Sequence, residues 1–65
     1  MTKTSLHLRQ LAGALNEFAE EHSAEAANFR ALELPELAQG ATARALTFRS
    51  VVTELVMRAE REEMR

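Results

Sequence analysis

The chain has 65 residues, no cysteine, 46% apolar and 28% charged residues, and a formal net charge of −2 at neutral pH. A domain this small without disulfides gains its stability from well-packed helices or from oligomerisation. The lack of excess positive charge argues against nucleic-acid binding, and no apolar run has the length of a signal peptide or a membrane span, so we expect a cytoplasmic protein without a membrane partner.

The first predicted element is a long amphipathic helix over residues 4–32. Apolar residues recur here every three or four positions, which is the spacing of one helical stripe. The stripe consists of Leu8, Leu11, Leu15, Phe18, His22, Ala26, Phe29 and Leu32. Ala12 and Ala19 lie at its edge. Thr4 or Ser5 is expected to act as the N-cap, accepting a hydrogen bond from an otherwise unpaired backbone N–H.

A turn over residues 32–35 and a second helix over residues 35–63 follow. Pro35 lacks a backbone N–H and disfavours helical backbone at Leu34, whereas proline suits the first position of a new helix. The apolar stripe of this helix consists of Leu37, Ala41, Ala45, Phe48, Val52, Leu55 and Ala59. Val51 and Val56 flank the stripe on opposite sides.

Two long helices joined by a short turn predict an all-α fold, an antiparallel two-helix hairpin that forms a single domain. Facing residues then have numbers that sum to about 67, which pairs Phe18 with Phe48 or Arg49. Small residues near the turn predict close helix approach there and bulkier packing at the open end. Two alternatives are a first helix that breaks at Ser23 and a second helix that starts at Thr42.

The same register predicts ion pairs between the helices. Three glutamates of the first helix should lie near two arginines of the second. These residues are Glu17, Glu20, Glu21, Arg44 and Arg49. Within the second helix, Glu54 precedes Arg58 in the favourable i,i+4 order. Exposed pairs contribute only about 0.3–0.5 kcal/mol each, so they orient the hairpin more than they stabilise it.

The second stripe is broader than one facing helix can cover, since Val51 and Val56 widen it to about 140°. We therefore predict a homodimer that forms a four-helix bundle. The residues predicted at the dimer or partner interface are Leu15, Phe18, His22, Phe48, Val51, Val52, Leu55 and Val56. Isolated apolar residues on the back of the second helix are common in soluble proteins, but here they also form a candidate second docking strip. That strip consists of Leu46, Met57 and Met64.

His22 is the one polar residue of the first stripe. A single polar residue in a helical seam can fix register and oligomeric state, and its expected partner is Ser23 or the His22 of a second copy. A pH-sensitive interface, or a metal bridged between subunits, is the functional alternative. His7 lies about 22 Å away along the same helix, too far to share a metal ion within one chain.

No residue pattern favours catalysis or cofactor binding. The serines lie at predicted helix ends or on outer faces, and Ser23 follows His22 at a spacing that points the two side chains to different faces of the helix. No glycine-rich phosphate loop is present. We expect no enzymatic activity, no metal, no cofactor and no small-molecule substrate. The expected function is a protein–protein interaction module, such as an adaptor, an anti-regulator or a chaperone-like subunit, that acts through an apolar helix face. The alternative is a dimeric helical-hairpin RNA-binding regulator, against which the acidic charge argues.

Overall fold

A computed structural model describes residues 2–64, which form two helices of equal length. Helix α1 spans Lys3–Ala31 and helix α2 spans Pro35–Glu63. The helices run antiparallel and pack against each other along their length. The predicted all-α two-helix hairpin is therefore confirmed. Both helices are continuous, so the alternatives with a break at Ser23 or a late start at Thr42 are wrong.

A capping box begins α1, with Thr2 as the N-cap. The Thr2 hydroxyl oxygen accepts a hydrogen bond from the Ser5 backbone N–H at 3.0 Å, and the Ser5 hydroxyl oxygen accepts one from the Thr2 N–H at 2.9 Å. This reciprocal pair satisfies two backbone donors that the first helical turn leaves unpaired. The predicted N-cap at Thr4 or Ser5 is wrong, since both residues lie inside the first turn.

The turn closes α1 with a Schellman motif. The Leu34 N–H donates to the Phe29 carbonyl at 2.8 Å, and the Glu33 N–H donates to the Arg30 carbonyl at 3.1 Å. Glu33 has φ 58°, a left-handed conformation that glycine adopts with less strain than glutamate. Pro35 then occupies the start of α2. This geometry reverses the chain within three residues.

The two helices meet along a seam of small residues. The fully buried residues are Ser5, Ala12, Ala19 and Ala26 of α1 and Ala38, Ala41, Ala45 and Ala59 of α2. In α1 they recur every seven positions, the repeat that keeps one helix face against its partner over many turns. Such small side chains allow the two backbones to approach closely. Within residues 2–64, no large apolar side chain is fully buried.

The seam corrects the predicted centre of the first stripe. Ala12 and Ala19, expected at its edge, lie at the middle of the helix contact, while Leu11 and Phe18 are exposed beside it. Apolar residues that recur every three or four positions are compatible with several neighbouring rows on the helix surface. Hydrophobicity alone places the largest residues at the centre, whereas close helix packing selects the smallest.

The seam also continues to the open end of the hairpin. Ser5 and Ala59 are both fully buried there. The expectation of bulkier packing at the open end is therefore wrong. The small residues therefore allow close approach of the helices along the whole hairpin, and the large side chains lie at the sides of the seam.

Candidate interaction surface

On one long side of the hairpin, side-chain hydrogen bonds join the two helices. We call this side the polar edge. Arginine side chains donate in each of these hydrogen bonds, over 2.7–3.0 Å. The pairs are Arg9 with Glu63, Arg49 with Ser23, and Arg30 with Thr42. On both helices these residues lie four positions after seam residues. They therefore form one row on each helix, on the same side of the seam.

The strongest contact of the polar edge joins Arg9 to Glu63 at the open end. The guanidinium donates two hydrogen bonds, from Nε to Oε2 at 2.9 Å and from Nη2 to Oε1 at 2.7 Å. This contact, together with a smaller effect of the Ser5 hydroxyl and against the opposing effect of desolvation, lowers the pKa of Glu63 to about 2. The same carboxylate raises the pKa of Arg9. The pair joins the first turns of α1 to the last turn of α2.

The opposite long side carries a cluster of large apolar residues that includes all three phenylalanines, and we call it the phenylalanine face. Its main residues are Leu8, Leu11, Leu15, Phe18, Phe29, Phe48, Val51 and Leu55. Most of them lie three positions after, or one before, a residue of the seam, which places them on the side away from the polar edge. Leu11, Phe18 and Val51 remain 42%, 47% and 41% exposed. The face is therefore apolar and open to solvent.

An aromatic contact between the helices lies at the middle of this face. The rings of Phe18 and Phe48 have centroids 5.8 Å apart and are tilted by 31°, which confirms the predicted pair. The His22 ring stacks on Phe48 at 5.5 Å, with an interplanar angle of 3°. Phe48 is thus held between two rings of α1, and the aromatic contact fixes the register of the helices from the open side.

Next to this contact, three charged or polar side chains interrupt the apolar surface. We call His22, Glu25 and Arg44 the polar layer. The Nδ1 atom of His22 lies 2.7 Å from Oε1 of Glu25, and the Nε atom of Arg44 lies 3.5 Å from the same Nδ1. His22 is half-buried beside the seam, not in its centre. The expected bond to Ser23 is wrong, because the Ser23 hydroxyl accepts from Arg49.

The predicted ion pairs between the helices are also wrong. Among the described residues, Arg44 and Arg49 form no ion pair with the three glutamates proposed for them. Those glutamates are Glu17, Glu20 and Glu21, all of which are exposed. The predicted pair within α2 is confirmed, since Arg58 Nε lies 3.5 Å from Glu54 Oε1.

The structure places six of the eight predicted interface residues on the phenylalanine face or in its polar layer. These are Leu15, Phe18, His22, Phe48, Val51 and Leu55. Val52 lies seven residues from both Ala45 and Ala59, so it belongs to the seam row. Val56 lies seven residues after Arg49, so it belongs to the row of the polar edge. Both valines are half-buried.

Sequence reasoning missed Glu25 and Arg44 as members of this surface. The spacing of three residues between His22 and Glu25 was the available signal, because side chains at i and i+3 are neighbours on a helix. Arg44 comes from the other helix and carried no comparable signal. The candidate second docking strip consists of exposed side chains, namely Leu46, Met57 and Met64.

The chain matches no protein-family model, and neither curated proteins nor solved structures include a match to it. Within residues 2–64, neither helix combines the length and the apolar character needed to cross a membrane. In the same part of the chain, no three acidic or histidine side chains are grouped so that they could hold a metal ion. The phenylalanine face is the candidate functional surface that the geometry offers.

Proposed function

We propose that this protein is a small, non-enzymatic helical protein–protein interaction module that acts through the phenylalanine face, with a second copy of the chain as its first partner. Two hairpins packed face to face form a four-helix bundle. The observation that carries the proposal is that small and large apolar residues lie at different places in the hairpin. Small residues line the contact between the helices, whereas the three phenylalanines and several leucines lie together on one side that is open to solvent.

The dimensions of the hairpin support a partner. Its accessible surface is 4815 Å², whereas a compact monomer of this mass exposes about 4,200 Å². Its radius of gyration is 14.8 Å, whereas a compact domain of this length has about 11 Å. Both differences have the same cause, because two long antiparallel helices form one elongated layer whose two broad sides are exposed to solvent. A second layer of helices would cover one flank.

The area of the face is sufficient for a stable interface. Each helix has 29 residues, and two helices side by side make a face about 40 Å long and about 20 Å wide. This corresponds to about 800 Å² on each copy, which is the size of a standard protein interface. Phenylalanine, which lies at its centre, is among the residues enriched in the cores of protein interfaces.

An adaptor, an anti-regulator or a chaperone-like subunit would use the same surface. A pair of helices with an apolar stripe between them is the surface that accepts an amphipathic helix. A helix of another protein would occupy the place of the second copy. By exchanging its second copy for a helix of another protein, a module of this kind would regulate or protect that protein.

The proposal is tested with two glutamine variants on different sides of the molecule. Phe18→Gln removes an exposed ring from the face, and Leu46→Gln removes a similarly exposed side chain from the back of α2. We expect the wild type and Leu46→Gln to sediment as dimers at micromolar concentration, and Phe18→Gln to sediment as a monomer.

Val51→Gln is the second variant of the face, in case the loss of a ring unfolds the hairpin. A wild-type chain that remains a helical monomer at tens of micromolar would overturn the proposed bundle. Equal dissociation constants for Phe18→Gln and Leu46→Gln would overturn the assignment of the face.

A further inference from the structure

The polar layer divides the phenylalanine face into two apolar parts. On the side of the open end lie Phe18 and Phe48, and on the side of the turn lie Phe29 and Leu37. Glu25 belongs to α1 and Arg44 to α2, and both are at least partly exposed at nearly the same level of the hairpin. A partner that covers the whole face has to accommodate these charges.

Within one chain the two charges are not paired with each other. The Glu25 carboxylate accepts the Nδ1–H of His22, given their separation of 2.7 Å. Among the described residues, no carboxylate forms an ion pair with Arg44, whose Nε atom only approaches the same His22 nitrogen at 3.5 Å. The face therefore presents one negative and one positive side chain, carried by different helices, to whatever covers it.

Two hairpins can stack with their turns at the same end or at opposite ends, and the polar layer meets different residues in the two arrangements. If both turns lie at the same end, each level of one copy meets the same level of the other, and α1 faces α2 of the second copy. Glu25 then faces Arg44 of the second copy, twice in a symmetric dimer. Apolar levels cover apolar levels on both sides of the polar layer.

If the turns lie at opposite ends, the match is lost. With the copies centred on each other, the polar layer lies over Leu11 and Leu55 of the second copy, and burying unpaired charges against leucine is costly. If one copy slides until the apolar parts near the open ends overlap, the part near the turn with Phe29 and Leu37 stays uncovered.

We propose that the second copy packs on the phenylalanine face with its turn at the same end, so that Glu25 of each copy pairs with Arg44 of the other; this rests on the proposed dimer. The polar layer thereby specifies the orientation and register of the bundle, as a single polar position does in coiled coils. His22 orients the Glu25 carboxylate toward the partner.

The first test measures which copies prefer each other. Glu25→Arg and Arg44→Glu each place like charges across the interface of their own homodimer, whereas a mixture of the two variants restores opposite charges. We expect the mixed dimer to be about tenfold tighter than either homodimer. Contacts within each chain are the same in the homodimers and in the mixed dimer, so they cancel when the dissociation constants are compared. A mixture of Glu17→Arg and Arg49→Glu, which lie off the face, should show no preference.

The second test measures orientation directly, using the absence of cysteine from the chain. Spin labels on Glu36→Cys near the turn, and in a separate variant on Glu60→Cys near the open end, report distances between copies. We expect about 20–30 Å at both positions, the width of a four-helix bundle, whereas opposite ends separate the labels near the turn by about 40 Å or more.

The outcomes separate this inference from the proposed function. A monomeric wild type overturns the bundle itself. A dimer with distant labels near the turn overturns the shared orientation and leaves the bundle standing. A dimer with close labels but no preference in the mixture overturns the Glu25–Arg44 contact.

Discussion

The two long sides of the hairpin differ in whether their side chains find partners within the chain. On the polar edge, arginines reach across the seam to Glu63, Ser23 and Thr42. On the phenylalanine face, large apolar side chains lie beside the seam and remain partly in water, and Phe48 packs against the rings of Phe18 and His22. The polar side chains of one side are paired within the chain, whereas large apolar side chains of the other side remain partly exposed.

The centre of the contact between the helices holds small residues, so large side chains such as Leu11, Phe18 and Val51 stay more than 40% exposed beside it. In the bundle proposed above, burial of these side chains by a second copy would contribute free energy that the single hairpin does not gain. Three further predictions test whether the seam, the turn and the polar edge act independently of the open face, in order of decreasing effect.

The largest effect is expected from filling the seam. Ala19 is fully buried at the middle of the helix contact, so Ala19→Leu forces the backbones apart and should destabilise the fold by about 2–3 kcal/mol. Urea denaturation followed by circular dichroism measures this change. Ala24→Leu, at an exposed position of α1, is the matched control and should stay within about 0.5 kcal/mol of the wild type. Equal stabilities for both variants would contradict the seam.

A smaller effect of opposite sign is expected at the turn. Glu33 adopts the left-handed conformation at the helix end, so Glu33→Gly should stabilise the hairpin by about 1 kcal/mol. Glu36→Gly, in the helical first turn of α2, should instead destabilise it. Both positions lie off the long sides, so the dissociation constant of the dimer should not change. A loss of stability in Glu33→Gly would contradict the turn geometry.

The smallest effect concerns the polar edge and acid. The pKa of Glu63 is lowered to about 2 by Arg9, so its contribution is fully present above the ordinary glutamate pKa of about 4.5 and is lost as the pH falls toward 2. Glu63→Gln should lack this part of the pH dependence, while Glu17→Gln should retain it. Thermal unfolding between these pH values at low and high salt measures the difference. A pH profile of Glu63→Gln that matches the wild type would contradict the ion pair.

Sequence reasoning reached the fold but not the roles of its residues. Pro35 and the three-four spacing were sufficient for two helices and a turn, and the register paired Phe18 with Phe48. The spacing did not distinguish the row of Ala12 and Ala19 from the neighbouring rows of large residues. Which row lies inward depends on how closely two backbones approach, and that is settled only when both helices are present.

The polar groups of the surface were harder to predict than the fold. The capping box used Thr2 with Ser5 in the N3 position, where a glutamate or glutamine is the usual signal. Arginine side chains are long enough to reach several partners on the facing helix, so register alone did not decide between Ser23 and the nearby glutamates for Arg49. Short-range spacing predicted the contact of Glu54 with Arg58, and the spacing of His22 and Glu25 held a similar signal.

The seam of alanine has a consequence for the protein's abundance. Burying a methyl group contributes about 0.8 kcal/mol, much less than burying a leucine or phenylalanine side chain. If a second copy supplies the remaining burial, the fraction of folded chains rises with the total concentration of the protein, and so does its melting temperature. Scarce copies would unfold and be degraded first, so the cellular level of this protein would set its own lifetime.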